Sequence, residues 1–399
     1  MEKKLKINTF GGIKTPPFRA GKEYTALSIN PEPFDKLRVV SEAEPQTSGS
    51  CPERLVVNSV ELSRRTISSP ERLVVNEVAL SRRINYLRLS LTDHCNLNCV
   101  YCTPLEKSGF LAHEQVLRYE EIKRLVTVFV RAGIRKVRLT GGEPLLKKDV
   151  IFLIRMLRSI EGLEELSMTT NGTLLNDYAG FLKEAGLDRI NISLDTLKKG
   201  RFKTITGKDC FAQVWQGIMA ALKAGLAPVK LNVVLMRGIN DDEIEDFARL
   251  ALEYPVNVRF IEFFHTNFRA KKLFHVLVSS AEVKKIIENS LGRLNPVNDF
   301  LGNGPAEYYS LKGAQGALGF ISATTGNFCG SCNRVRVDCA GKISPCLFSG
   351  PALDSRLFLR ASFDDDKLLD EIQRVFALKP IYNKGKIFER KVEMSSIGG

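Results

Sequence analysis

From residue 84 onward, short apolar runs alternate with longer amphipathic stretches, and this alternation restricts the fold more than any other feature of the chain. Leu87 to Leu91, Val137 to Thr140, Leu166 to Thr169, Ile190 to Leu194, Val229 to Leu235 and Val256 to Phe260 read as strands. Tyr119 to Ala132 reads as a helix, with Ile122, Leu125, Val126, Phe129 and Val130 on one face. Asp149 is placed to cap another helix, which carries Val150, Leu153, Ile154 and Leu157. Strands alternating with helices imply parallel βαβ units, and this series predicts an incomplete (β/α) barrel. In such barrels ligands gather at the C-terminal ends of the strands. The segment between Asn295 and Phe320 reads as β-rich.

Six of the nine cysteines form two separated triplets: Cys95, Cys99 and Cys102, spaced C-x3-C-x2-C, and Cys329, Cys332 and Cys346, spaced C-x2-C-x13-C. Three thiolates within eight residues suit a cubane in which three irons are capped by cysteine and one is free to bind another ligand. Structural zinc takes four protein ligands. A zinc knuckle here would have to borrow His94 or His113. Cys339 lies inside the second window and is an alternative third ligand there; Cys51 and Cys210 read as incidental small residues.

The sequence around the triplets resembles two nested families. Cys95, Cys99 and Cys102, with Tyr101 before the last, resemble the signature of radical S-adenosylmethionine enzymes. The segments INYLRLSLTDHCNLNCVYC, KVRLTGGEPLL, MTTNGTLL, INISLDTL, FISATTGNFCGSCNRVRV and the terminal MSSIGG are similar, in order, to those of the GTP 3′,8-cyclases, the molybdenum cofactor biosynthesis protein A group. The resemblance implies an incomplete (β/α)6-type TIM-like barrel with a smaller C-terminal domain carrying a second iron–sulfur cluster. It implies conversion of GTP to 3′,8-cyclo-7,8-dihydro-GTP, the first step of molybdopterin biosynthesis, by a lyase using two [4Fe-4S] clusters and S-adenosyl-L-methionine. The implied partners are GTP as substrate, an electron donor and a downstream cyclic pyranopterin monophosphate synthase, with the enzyme a monomer or homodimer.

Residue by residue, the resemblance makes Cys95, Cys99 and Cys102 the ligands of one cluster, and Cys329, Cys332 and Cys346, rather than Cys339, those of the other. Tyr101, Gly142, Ser193 and Phe264 fall where that family contacts S-adenosylmethionine. The two glycines of Gly141-Gly142-Glu143-Pro144 would let a ligand approach the backbone closely. Arg88, Lys136, Arg138, Thr169, Lys230, Arg259, Arg334 and Arg336 fall at its nucleotide contacts, with the cations read as sitting at strand ends. Arginine offers phosphate a planar fork and lysine a point charge. Gly398 and Gly399 match its terminal pair, which is thought to reach the active site. Three departures stand out: Phe264 replaces a usual methionine, His94 a usual arginine, and the loop HTNFRAKKLFHV lacks the usual proline- and glycine-rich stretch.

The chain divides into residues 1–83, 84–295 for the barrel and 296–399 for the second cluster domain. The first part mixes Pro, Gly, Ser, Glu and Lys and reads as a disordered extension. It contains a duplication, PERLVVNSVELSRR at 52–65 and PERLVVNEVALSRR at 70–83, identical at twelve of fourteen positions. Two copies are too few for a solenoid; a partner-docking arm is the alternative reading. At 399 residues and 44% apolar content the chain can bury a substantial core. An odd cysteine count, with no leader pattern and no apolar run near eighteen residues, predicts a cytoplasmic protein with reduced thiols and no membrane span. The net charge of +13 fits either a solvated basic surface or a site for a polyanion. Lys and Arg are scattered rather than interleaved with aromatics, which argues against nucleic acid. Two other classes stay open: a radical S-adenosylmethionine enzyme modifying a peptide with an auxiliary cluster, and a non-catalytic iron–sulfur or zinc module.

Overall fold

All six expected strands form in the computed structural model: β1 (Tyr86–Ser90), β2 (Lys136–Thr140), β3 (Glu165–Thr170), β4 (Arg189–Ser193), β5 (Val229–Leu235) and β6 (Val256–Glu262). The structure describes residues 83–102, 110–264, 276–297, 304–326, 329–361 and 364–380, with the backbone of a short antiparallel pair, Thr9–Phe10 and Ile13–Lys14. The duplication up to Arg82, the loop 265–275 and the terminal Gly398-Gly399 lie outside the described residues. The chain separates into two units, Met1–Pro70 and Glu71–Gly399, and the barrel belongs to the second.

The helices between the strands are α1 (Tyr119–Arg131), α2 (Val150–Arg158), α3 (Leu175–Glu184), the pair α4 (Lys199–Thr206) and α5 (Phe211–Lys223), and α6 (Ile244–Glu253). Helix α1 buries the predicted face and also Val128 and Glu121. The chain returns to cover this helix, reaching both Phe129 and Glu121. Past α7 (Ser280–Leu291) and α8 (Arg356–Leu359) it reaches α9 (Asp365–Ala377), whose Phe376 lies 6.2 Å from Phe129, while Arg360 bonds the Glu121 carboxylate. Asp149 does precede α2, but at φ 56° and with no capping bond from its side chain. Aspartate tolerates that left-handed backbone, and its carbonyl instead accepts from Phe152 N at 2.9 Å.

The C-terminal segment does not pack as a separate layer; its strands join both edges of the barrel sheet. They are β7 (Asn295–Pro296), β8 (Glu307–Ser310), β9 (Leu318–Ile321), β10 (Arg334–Val337), β11 (Lys342–Ser344) and β12 (Leu353–Asp354). The twelve-stranded sheet runs β12-β11-β10-β1-β2-β3-β4-β5-β6-β9-β8-β7. β9 pairs in parallel with β6, and β10 in parallel with β1, so a continuous parallel run is flanked by an antiparallel ribbon at each end.

Strand alternation divides this run into two faces. Leu87, Leu89, Val137, Leu139, Leu166, Met168, Ile190, Ile192, Leu231, Val233, Val258, Phe260, Val335 and Val337 are fully or almost fully buried and face the helices. The alternate positions are polar: Arg88 on β1 pairs across to Arg138 on β2 and to Arg336 on β10, and Thr169, Asn191 and Lys230 line up across β3, β4 and β5. Ordinary barrels fill that interior with bulky branched side chains. Here it is left for something else.

The edge seam at β9 depends on a glycine. A Cβ on Gly316 would lie 1.9 Å from the Val256 carbonyl oxygen, so the turn into β9 rests directly on the start of β6. Gly316→Ala is expected to push this backbone apart and destabilise the fold by about 1–3 kcal/mol. A urea unfolding midpoint equal to that of the parent chain would show that the seam tolerates the methyl.

Candidate functional site

One cavity of about 370 Å³ runs through the polar interior. Its lining holds both thiol triplets and every described residue for which the sequence suggested a cofactor or nucleotide contact: Tyr101, Gly142, Ser193 and Phe264, and Arg88, Lys136, Arg138, Thr169, Lys230, Arg259, Arg334 and Arg336. Cys346 lines it, whereas Cys339 is buried elsewhere, near Asp93 and Lys147. Neither His94 nor His113 reaches it; His94 stacks on Phe110 at 3.9 Å, with Nδ1 2.9 Å from Asp93.

Topology puts the triplets at opposite ends of the strands. Cys95, Cys99 and Cys102 follow β1 and therefore lie at the C-terminal ends. Cys329 and Cys332 precede β10, which is parallel to β1, while Cys346 follows β11, which is antiparallel to β10. The second triplet is thus at the N-terminal ends, away from where ligands of such barrels usually gather.

The loop bearing the first triplet is fixed by backbone bonds. Asn98 N and Val100 N donate to Thr206 O and Ile205 O at the end of α4, at 2.8 and 3.0 Å. Gly142 N and Glu143 N donate to Thr92 O and His94 O at 2.7 and 2.8 Å. A Cβ on Gly142 would lie 2.1 Å from the His94 oxygen, so this glycine admits the protein's own cysteine loop rather than only a ligand. Tyr101 donates its hydroxyl to Asp195 at 2.6 Å, and Asn171 Nδ2 lies 3.8 Å from Cys95 Sγ. Burial, with Cys95 and Asp195 as negative neighbours, pushes the Cys102 thiol up to about 12. Burial likewise raises Asp195 to about 6, against the bonds from Tyr101 and Val234 N, and Glu143 to about 7, against those from Asn171, Thr170 and Leu145.

The second triplet sits in the opposite electrostatic setting. Burial alone would raise Cys332, but Arg334 and Lys379 outweigh it and bring the thiol down to about 6. Arg334 Nε lies 3.4 Å from Cys332 Sγ. Thiolates are the form that ligates metal, and among the described residues no three His, Cys, Asp or Glu side chains converge closely enough for a single ion.

Between the triplets, the described lining has nine Lys and Arg against three Asp and Glu, so the space favours an anion. The expected cations are not all at strand ends: Arg88, Arg138 and Arg259 sit mid-strand, because the inward register continues down the strand rather than stopping at its rim. Arg138 Nε donates to Ser167 Oγ at 3.1 Å, and Arg259 donates to Asn232. Lys136 pairs with Glu165 at 3.6 Å. Arg259 Nε and Thr169 Oγ1 are buried without a hydrogen-bond partner, an arrangement that ordinarily awaits a ligand or ordered water. Burial, then Arg336, holds Arg88 well below its usual range; burial, then Arg334, lowers Arg336 to about 10. Burial, then Arg259 and Arg138, lowers Lys230 to about 6.

Sequence reasoning missed Asp195, Asn171, Asn191, Asn232, Glu165, Arg189 and Lys379, all of which line the cavity. For the strand residues the signal was available. Stepping by two from Ser193 gives Asn191 and Arg189, and stepping back from Thr169 reaches Glu165.

A parallel barrel with a three-cysteine loop after its first strand defines the class, and residues 89–251 match the Radical SAM superfamily. Residues 256–384 match the family described as Molybdenum Cofactor Synthesis C. The GTP 3′,8-cyclase of Heliobacterium modesticaldum is 45% identical over 321 residues, covering 79% of this chain and 98% of its own length. That of Moorella thermoacetica is 47% identical over 318 residues, with the same coverage of both chains. The chain belongs to the GTP 3′,8-cyclase family. Among solved structures, Streptococcus suis SuiB bound to S-adenosylmethionine shares the fold, with a TM-score of 0.55 at 14% identity over 76% of this chain and 68% of that one.

The lowered Lys230 gives the cavity a pH signature. With its folded value near 6, the amine is mostly neutral at about pH 7.5. A polyanion placed beside it raises that value, so binding takes up a proton and weakens as pH rises above about 6. Calorimetry of inorganic triphosphate binding in buffers of different ionisation enthalpy is expected to report uptake of up to about one proton at about pH 7.5. Lys230→Met should remove most of it. Equal uptake by the variant would place the titrating group elsewhere.

Proposed function

We propose that this chain is a radical S-adenosylmethionine enzyme that converts GTP to 3′,8-cyclo-7,8-dihydro-GTP in molybdenum cofactor biosynthesis. One observation carries the reading: a single cationic cavity joins two thiol triplets at opposite ends of the same strands. Family membership supports it through relatives named for that reaction.

Cys95, Cys99 and Cys102 would hold one [4Fe-4S] cluster and Cys329, Cys332 and Cys346 a second. When bound, the first cluster and S-adenosylmethionine would supply a 5′-deoxyadenosyl radical to take the C3′ hydrogen of the GTP ribose; C3′ would then bond to guanine C8, and one electron and one proton from the reducing system and solvent would quench the resulting nitrogen-centred radical to the dihydro product. Gly142 and Tyr101 hold the cysteine loop against β2 and the end of β4, and with Ser193 and Phe264 they form the S-adenosylmethionine end. Arg88, Arg138, Lys230, Arg259 and Arg336 hold the triphosphate by charge, while Lys136 and Thr169 add contacts on neighbouring strands. Arg334 and the second triplet take the guanine edge. The apolar outer face and helices keep water out of the strand interior behind these groups. Among the described residues no helix is long and apolar enough to cross a membrane. We place the enzyme in the cytoplasm, with a separate electron donor and with cyclic pyranopterin monophosphate synthase downstream.

The test is anaerobic reconstitution followed by incubation with S-adenosylmethionine, dithionite and GTP. About eight irons per chain are expected, with 5′-deoxyadenosine formed in step with GTP loss; about four irons, or a peptide consumed instead of GTP, would sink the reading. Cys346→Ser should keep the first cluster and lose productive GTP binding, and undiminished coupling of the two products would count against the assignment. Gly398 and Gly399 are assigned a role at the active site. Deleting both is expected to abolish cyclisation with iron content unchanged, and normal turnover by the truncated chain would remove that role.

A further inference from the structure

Lys379, just past the end of α9, is only 5% exposed and lines the cavity beside the second triplet. Its ammonium donates to two backbone carbonyls that belong to different arms of that triplet. One is Arg334 O, two residues after Cys332, at 2.5 Å; the other is Pro345 O, immediately before Cys346, at 2.9 Å. Lys379 is 45 and 34 residues from them in sequence, so these are tertiary ties rather than local ones. An ammonium has three donors and a compact charge. Two donors tie the arms together, and its charge acts on the Cys332 and Cys346 sulfurs. A buried cation beside these sulfurs stabilises the more negative, reduced state of any cluster they hold.

We infer that Lys379 is the positioning residue of the second thiolate triplet: it clamps the Cys332 and Cys346 arms and sets the electrostatics of the cluster they carry. This rests on the two-cluster reading. The first triplet is held independently, by α4 and by the turn after β2.

The experiment uses the full chain, anaerobically reconstituted, with Lys379→Met and Lys379→Arg beside the parent. Iron content, the spectroscopic signatures of the two clusters and their midpoint potentials are measured, with circular dichroism and first-cluster cleavage of S-adenosylmethionine as folding controls. In Lys379→Met the second cluster is expected either to fall to half occupancy or less, or to remain with a lower midpoint potential, while the first is unchanged. Lys379→Arg keeps charge and donors and should restore both readouts. A Met variant whose second cluster matches the parent in occupancy and potential overturns the inference. So does an Arg variant as impaired as the Met variant, because neither charge nor tether would then matter. If the parent holds only one cluster, the two-cluster reading itself falls and the inference falls with it, an outcome distinguishable at the parent protein before any variant is compared.

Discussion

The structure depends on a parallel sheet whose inward positions are cationic instead of apolar. Placing Arg88, Arg138, Lys230, Arg259 and Arg336 in a desolvated interior opposes folding, and the downward pressure on Arg88, Arg259, Arg336 and Lys230 is the visible sign of that cost. The opposite face of the same strands supplies the compensation. Each fully buried Leu, Ile, Val or Phe against the helices contributes about 1.5–3 kcal/mol of transfer free energy. Stability and ligand chemistry are therefore separated by one residue step along every strand, and the apolar face offsets the cost of the cationic one.

The two ends of the cavity use the same ligand type in contrary settings. At the C-terminal end, burial and Asp195 oppose ionisation of the Cys102 thiol, and loop geometry is imposed by main-chain bonds to α4 and to the β2 turn. At the N-terminal end, Arg334 and Lys379 favour the Cys332 thiolate, and side-chain donors do the tethering. A group bound at the first end must itself bring positive charge to stabilise three thiolates. At the second, the protein already provides part of it.

The barrel strands were legible because period-two burial is a local property, as Val229 to Leu235 and Val256 to Phe260 illustrate. What sequence reading could not supply was long-range pairing. Phe320 sits opposite Phe260, and Arg336 opposite Arg88, across gaps that no local pattern spans. The glycine pair at 141–142 announces close approach without naming everything that approaches. At Gly142 one such neighbour is the His94 carbonyl, a contact that exists only with β1 and β2 side by side. The tail glycines and the duplicated segment up to Arg82 fall outside the described residues.

The edge strands also account for where the second triplet must be. β9 ends at the C-terminal rim next to β6, and β10 begins at the opposite rim next to β1. The connection between them, residues 322–333, has to pass from the top of one edge to the bottom of the other, and a stretch of that length spans at most about 40 Å. Of its described residues, Ala323, Thr324, Gly326, Cys329 and Cys332 all line the cavity. The described part of the segment that brings in the second set of thiols therefore contributes to the cavity lining. Lys379 then ties the start of β10 to the residue before Cys346, so the segment carrying Cys329 and Cys332 and the one carrying Cys346 are held together at the same rim.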